Sequence, residues 1–191
     1  MKKIRIIAVG GTIDAVDYDF AKGEVIAFGE PAIHEILKVG RVRRLEEFTD
    51  IVLLPQKDSL AMNDEDREAI LRAVLRESTP ERVLIIHGTD TMPITGRLLY
   101  ERVKNKTIVL TGSMRPNASP KTDAPFDVGG AWIGLQILPH GVYIVANGEI
   151  FPVQHVKKNR EDPEDPHFEN VPEEEENFRE KIKAFFLSFL K

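Results

Sequence analysis

The sequence contains no cysteine. That excludes disulfides, thiolate zinc sites, iron–sulfur ligation and a cysteine nucleophile. An excess of positive charge is also missing: 26 Lys and Arg stand against 31 Asp and Glu, a net charge of -5, whereas a nucleic-acid binder presents a basic face. No apolar run approaches the length of a bilayer span. Met1-Lys2-Lys3 leads into a short β-branched run, not into the long apolar stretch and small-residue cleavage site of an export signal. Neither GxGxxG nor GxxxxGK followed by Ser or Thr occurs, which disfavours a nucleotide-binding reading. No self-similarity recurs at a solenoid period. What remains is a chain of 191 residues, 42% apolar and 30% charged, long enough for one buried core and too apolar for wholesale disorder. The composition predicts a cytoplasmic protein with neither nucleic acid nor membrane among its partners.

Five apolar runs punctuate the chain at residues 4–9, 50–55, 82–86, 107–110 and 141–146, each ending at Gly or Pro or followed at once by a glycine-containing turn. Near-continuous β-branched runs of this kind suit parallel strands buried on both faces; strands with one wet face would alternate. Between them, residues 31–39, 63–77, 93–104 and 124–138 carry apolar positions at helical spacing. Asn63 stands where a cap belongs, with Asp64, Glu65 and Asp66 suited to a helix N-terminus. Alternating strands and helices predict an α/β fold of three layers, a mostly parallel sheet of flavodoxin-like or Rossmann-like type. Residues 13–30, rich in Asp and Gly around Val25-Ile26-Ala27-Phe28, predict a hairpin or flap after the first strand. Residues 1–160 are expected to form the main folded domain. Residues 161–176, with nine acidic residues, no Lys or Arg and three prolines, read as a solvated linker or docking arm. Residues 178–190 then read as an amphipathic helix that packs on the domain or on a second subunit.

Ligands of open parallel sheets bind beyond the carboxyl ends of the strands. There the sequence places Gly10-Gly11-Thr12-Ile13, Asp58-Ser59-Leu60-Ala61-Met62, His87-Gly88-Thr89-Asp90-Thr91-Met92, Thr111-Gly112-Ser113-Met114-Arg115-Pro116 and, after the last, Lys157-Lys158. Hydroxyls, a carboxylate and lysines converge without a metal-binding cluster. A threonine hydroxyl needs a base and a donor for the developing oxyanion. Paired glycines would let Thr12 approach a substrate and present amide hydrogens. Thr89, Asp90 and a partly desolvated lysine could form a relay.

GGTI (10–13), DSLAM (58–62), HGTDTM (87–92), TGSMRP (111–116) and DAPF (123–126) together resemble the bacterial-type L-asparaginases, in the same order and at similar spacing. The similarity runs from about residue 3 to about residue 160, the N-terminal domain of that family, so the sequence resembles a short single-domain branch. The resemblance implies two-step hydrolysis of a side-chain amide. Thr12 forms an acyl-enzyme, ammonia leaves, and water assisted by Thr89 and Lys158 completes the turnover. It implies catalytic roles for Thr12, Thr89, Asp90 and Lys158, with Lys157 one residue off the pattern. Ser59 would hold the substrate carboxylate and Asp90 the α-ammonium, while Gly11 and Gly88 belong to the substrate-binding set. No cofactor and no metal are implied. Leu60 stands where long members often carry a polar residue, and Tyr18 is the candidate flap tyrosine.

Blander assignments stand beside these. Thr12 could be a turn cap, and Thr89 and Asp90 could cap the helix near Pro93. Lys158 could belong to a solvated patch with Lys157 and Arg160. His87 reads as a packed strand-end residue, Trp132 as core, and Arg115 as a partner for Asp123 or Asp127. The alternative function is a non-catalytic amino-acid or amide-binding module on the same fold. An amidotransferase subunit supplying ammonia for transfer-RNA amidation would be expected to carry a further domain and a partner. An open strand-end cleft predicts a homodimer.

Overall fold

The computed structural model describes residues 3–43, 45–162, 166–171 and 182. Six strands form the central sheet: β1 (Ile4–Ala8), β4 (Thr49–Leu53), β5 (Arg82–Ile86), β6 (Thr107–Thr111), β7 (Gly141–Ala146) and β8 (Glu149–Pro152). Their spatial order is β4-β1-β5-β6-β7-β8. The first five run parallel, and β8 returns antiparallel to β7 along the edge. Counting the parallel strands alone in chain order, the arrangement is second-first-third-fourth-fifth, the flavodoxin-like winding, whose order reverses between the first and third strands. Here those strands are β1 and β5.

Alternation along each strand explains why the sequence shows unbroken apolar runs. Ile7, Val9, Val83, Ile85, Ile108 and Leu110 face one apolar cluster, with Ile70, Leu71, Val74 and Leu99 above them. These covering residues come from α3 (Asp64–Leu75) and α4 (Met92–Arg102). Ile4, Ile6, Leu84, Ile86 and Val109 face the opposite cluster, covered by Ile33, Ile36 and Leu37 and by Val128, Trp132 and Leu135. Those belong to α1 (Ile33–Val39) and α5 (Ala124–Ile137). Each such side chain stabilises the fold by about 1.5–3 kcal/mol through burial. Trp132 is core, as its surroundings in the sequence predict.

Asn63 caps α3 through a reciprocal box. Its side-chain oxygen accepts from the Asp66 amide at 3.0 Å, and an Asp66 carboxylate oxygen accepts from the Asn63 amide at 2.9 Å, an arrangement worth about 1 kcal/mol. The flap is a hairpin of β2 (Ala15–Asp19) and β3 (Glu24–Phe28). Asp19 shapes its turn by accepting from the amides of Ala21 and Lys22. Asp14 anchors its base: the buried carboxylate accepts from the Ala32 amide at 2.8 Å and from Gln56 at 3.3 Å, and burial raises its pKa.

Four short elements have no counterpart in the apolar pattern of the sequence: α2 (Leu45–Phe48), β8, β9 (Val156–Asn159) and β10 (His167–Asn170). β10 lies within the stretch expected to be linker. It pairs antiparallel with β9 because Phe168 buries its ring beside Phe151, centroids 6.1 Å apart, which offsets the surrounding charge. The expected helix at 178–190 lies outside the described residues, except Ile182, which packs against the cluster beneath α1 and α5. Among the described residues no helix is long and apolar enough to cross a membrane.

Candidate active site

The loops leaving β1 and β5 touch backbone to backbone. Gly10 and Gly11 both have φ of +93°. A Cβ on Gly11 would lie 2.4 Å from Cα and N of Gly88, so only glycine permits this approach. The contact brings the residues that follow, Thr12 and Thr89, onto one cleft of about 680 Å³. Tyr18, Leu60, Asp90, Arg115, Asp123, Asn147, Lys158 and Arg160 also line it. The cleft lies where the strand order reverses, the expected place for a ligand in this winding.

Lys158 is the centre of the polar network. Its ammonium donates to the Thr89 hydroxyl oxygen at 2.6 Å and to an Asp90 carboxylate oxygen at 2.6 Å, with its side chain only 9% exposed. Burial lowers its pKa, and the Asp90 charge opposes that shift without cancelling it. The strand β9 explains the choice between the two lysines. Successive side chains point to opposite faces, so Lys158 enters the cleft while Lys157 turns out to pair with Glu169 at 2.8 Å. Arg160, two residues on, shares the inward side and reaches the same Asp90 oxygen at 2.5 Å. In the sequence Arg160 is only part of a basic patch; a strand reading of 156–160 was the signal that would have separated it from Lys157.

Tyr18 on the flap lines the same cleft as the Thr12 hydroxyl. Burial raises its pKa above the ordinary phenol value, the neighbouring Thr12 hydroxyl works in the opposite direction, and the Asp90 and Asp58 carboxylates raise it further. The flap is tied down beside the site by the Val25 amide, which donates to Asp58 at 3.3 Å. Thr12 does not cap its turn, and Thr91 holds the N-cap position of α4 with no side-chain cap bond. The capping alternatives for Thr12, Thr89 and Asp90 therefore have no support in the geometry.

Other expected residues sit behind the cleft wall. Ser59 is 2% exposed; its hydroxyl accepts from the Asp90 amide at 3.2 Å, and its carbonyl accepts from the Thr91 hydroxyl at 2.8 Å. The Gly11 amide donates to the Lys57 carbonyl at 3.0 Å, which removes it from the donors open to a substrate oxygen. Gly88 packs on Ser59, leaving no room for a Cβ. The geometry gives Gly11 and Gly88 a close-packing role between the two loops. Asp123 does not pair with the Arg115 guanidinium; it accepts from the Met114 and Arg115 amides at 2.6 and 3.0 Å, fixing that loop. His87 is fully buried, its Nδ1 donating to the Gly88 carbonyl at 2.7 Å and its Nε2 accepting from Thr95 at 2.9 Å. Burial lowers its pKa to about 4, so it packs as a neutral ring.

A switch-point cleft that joins two threonines, a lysine and an aspartate on a parallel sheet defines a class of site built around a hydroxyl group. The chain belongs to the family described as Asparaginase, N-terminal, whose model matches residues 3–173. It is 31% identical over 163 residues to an L-asparaginase of Thermococcus kodakarensis, covering 82% of this chain and 47% of that protein. The solved structure titled the thermostable L-asparaginase from that organism superposes with a TM-score of 0.71 at 26% identity, covering 88% of this chain and 51% of the other. A glutaminase-asparaginase of Acinetobacter glutaminasificans is 30% identical over 162 residues, 80% of this chain and 48% of that protein. One component of a glutamyl-tRNA(Gln) amidotransferase from Methanococcus vannielii is 29% identical over 161 residues, 78% and 35% respectively. The chain spans about half the length or less of these relatives.

Proposed function

We propose that this protein is an amidohydrolase that releases ammonia from the side-chain amide of L-asparagine or a related small amide through an acyl-enzyme on Thr12. The observation that carries the reading is the Lys158 ammonium, held between Thr89 and Asp90 in the cleft that also receives Thr12. Family membership supports the same chemistry.

In the first half-reaction the Thr12 oxygen bonds to the amide carbon and the C–N bond breaks. The proton from Thr12 passes to the Tyr18 oxygen as the phenol hands its own proton to the leaving nitrogen, which departs as ammonia. Tyr18 enters this relay as a neutral phenol because its pKa is raised. In the second half-reaction water attacks the ester, and its proton is drawn toward Thr89 and Lys158. The acid forms and the Thr12 hydroxyl is restored. Asp90 holds the amine in place.

The test is ammonia release from a panel of small amides by the full chain, with Thr12→Ala alongside. We expect turnover by the wild type and loss of roughly 10³-fold or more in the variant with its melting temperature unchanged. Substrate binding without ammonia from any amide would replace this reading with a non-catalytic binding module. Ammonia release that requires an added partner would place the protein with the amidotransferase components instead. Residence in the cytoplasm and a homodimer in which a second copy covers the cleft belong to the same proposal. Half-exposed Leu60 on the cleft is the apolar surface such a copy would cover, and sedimentation showing a fully active monomer would remove that part.

A further inference from the structure

The charges around the cleft narrow the substrate class, an inference that rests on the amidohydrolase reading above. Among the described residues, five cationic side chains line it, Lys22, Arg115, Lys121, Lys158 and Arg160, against two carboxylates, Asp90 and Asp123. Neither carboxylate is free. One Asp90 oxygen accepts from both Lys158 and Arg160, at 2.6 and 2.5 Å. Asp123 is taken up by two backbone amides. Asp58, whose field reaches Lys158 and Tyr18, is likewise engaged by the Leu60 and Val25 amides at 2.9 and 3.3 Å. Leu60 on the same wall offers no acceptor from its side chain.

A substrate ammonium entering beside Asp90 would therefore be the third cation around one carboxylate. Like charges at contact distance disfavour that arrangement, more strongly in a partly dehydrated cleft than in water. A carboxylate-bearing substrate meets the opposite field. Arg115 and Lys121 have no ion pair with a described residue, and both face the cleft. Their charges are available to an anion.

We propose that the site prefers amides whose remaining part is anionic and carries no free α-ammonium, that is, ω-amides of dicarboxylic acids such as the succinamic-acid type, with Arg160 as the residue that sets this preference. Arg160 lines the cleft and crowds Asp90 with a second positive charge, on the same oxygen that Lys158 holds. The reaction is unchanged: the same C–N bond breaks and ammonia leaves.

The experiment compares kcat/KM for succinamic acid and L-asparagine by ammonia release from the full chain, in the wild type, Arg160→Gln and Arg160→Ala. We expect the wild type to favour succinamic acid by roughly tenfold or more, as a single recognised or rejected group typically does. Both variants should narrow the ratio, chiefly through a lower KM for asparagine. Equal or better use of asparagine by the wild type would overturn the inference while leaving the amidohydrolase reading intact. So would a ratio unaffected by either substitution. If no amide releases ammonia, titration calorimetry with the same two compounds decides: tighter binding of succinamic acid supports the preference, and tighter binding of asparagine overturns it.

Discussion

Lys158 lies 2.6 Å from the Thr89 hydroxyl although the two residues are 69 positions apart in the chain. The contact joins the end of β5 to a short strand beyond the edge of the sheet, and it is made by an amine that burial has brought below its ordinary pKa. Such an amine gives up its proton more readily than one in water, which is what a base next to a hydroxyl requires.

A specific pH dependence follows for Lys158. With the neutral amine as the working form, kcat/KM rises as Lys158 loses its proton, and its lowered pKa puts that rise below the 10.5 of an ordinary lysine. Lys158→Met should remove the rising limb and reduce the rate by about 10²–10⁴-fold. Lys158→Arg should not rescue it, because a guanidinium stays charged throughout the range. A pH–rate profile of the three proteins checks this. Full activity in Lys158→Arg would show that only positive charge is needed there.

The two glycine contacts predict a sharp contrast between substitutions of the same kind. Gly11→Ala places a methyl group 2.4 Å from the Gly88 backbone and imposes φ of +93° on a residue that has a side chain. The dihedral alone costs about 1–3 kcal/mol, and no rotamer change relieves a clash with backbone. Melting temperature and ammonia release should both fall, since Thr12 is the next residue. Gly129→Ala is the control: the site lies within α5 with nothing inside 4 Å, and the change should be neutral or stabilising by about 0.5–1 kcal/mol.

Much of this is legible in the sequence, for a physical reason. Strands β1, β5, β6 and β7 are covered on both faces, so each appears as an unbroken apolar run, and Asn63 with Asp66 marks the start of α3. The chain's own chemistry hides the remainder. Val156-Lys157-Lys158-Asn159 and His167-Phe168-Glu169-Asn170 have too few apolar residues to read as strands; they pair because Phe168 is buried at one position. Arg160 is hidden with them, since its place beside Lys158 depends on that strand. Gly11 and Gly88 signal close backbone approach, yet which backbone they approach is decided only by the order of β1 and β5 in the sheet.

Acid stability should depend on His87. Its folded pKa is about 4 against 6.5 unfolded, so between these values the unfolded chain binds the proton and the folded one does not. Stability contributed by the neutral ring is complete above pH 6.5, declines as pH falls, and stops changing below about pH 4. The whole effect amounts to roughly 3 kcal/mol. Denaturant melts of wild type and His87→Gln across pH 4–7 measure it. The wild type should lose more stability than the variant over this interval, and parallel curves would contradict the assignment.

Phe168 decides whether the acidic stretch after residue 160 is connector or part of the fold. A solvated linker would tolerate Phe168→Ala without effect. In the structure the ring is 3% exposed, packs against Phe151, and its amide donates to the Asn147 side chain at 3.2 Å. Its strand position is directly opposite Lys158. Removing the ring should cost about 3–5 kcal/mol, and the loss should extend to activity because β10 is the only strand that β9 pairs with among the described residues. Glu169→Gln supplies the comparison one residue along: it removes the exposed pair with Lys157, which is worth under about 1 kcal/mol, and leaves Lys158 in place. Calorimetric melting and ammonia release on the two variants should therefore separate widely, with Phe168→Ala impaired in both measurements and Glu169→Gln near wild type in each.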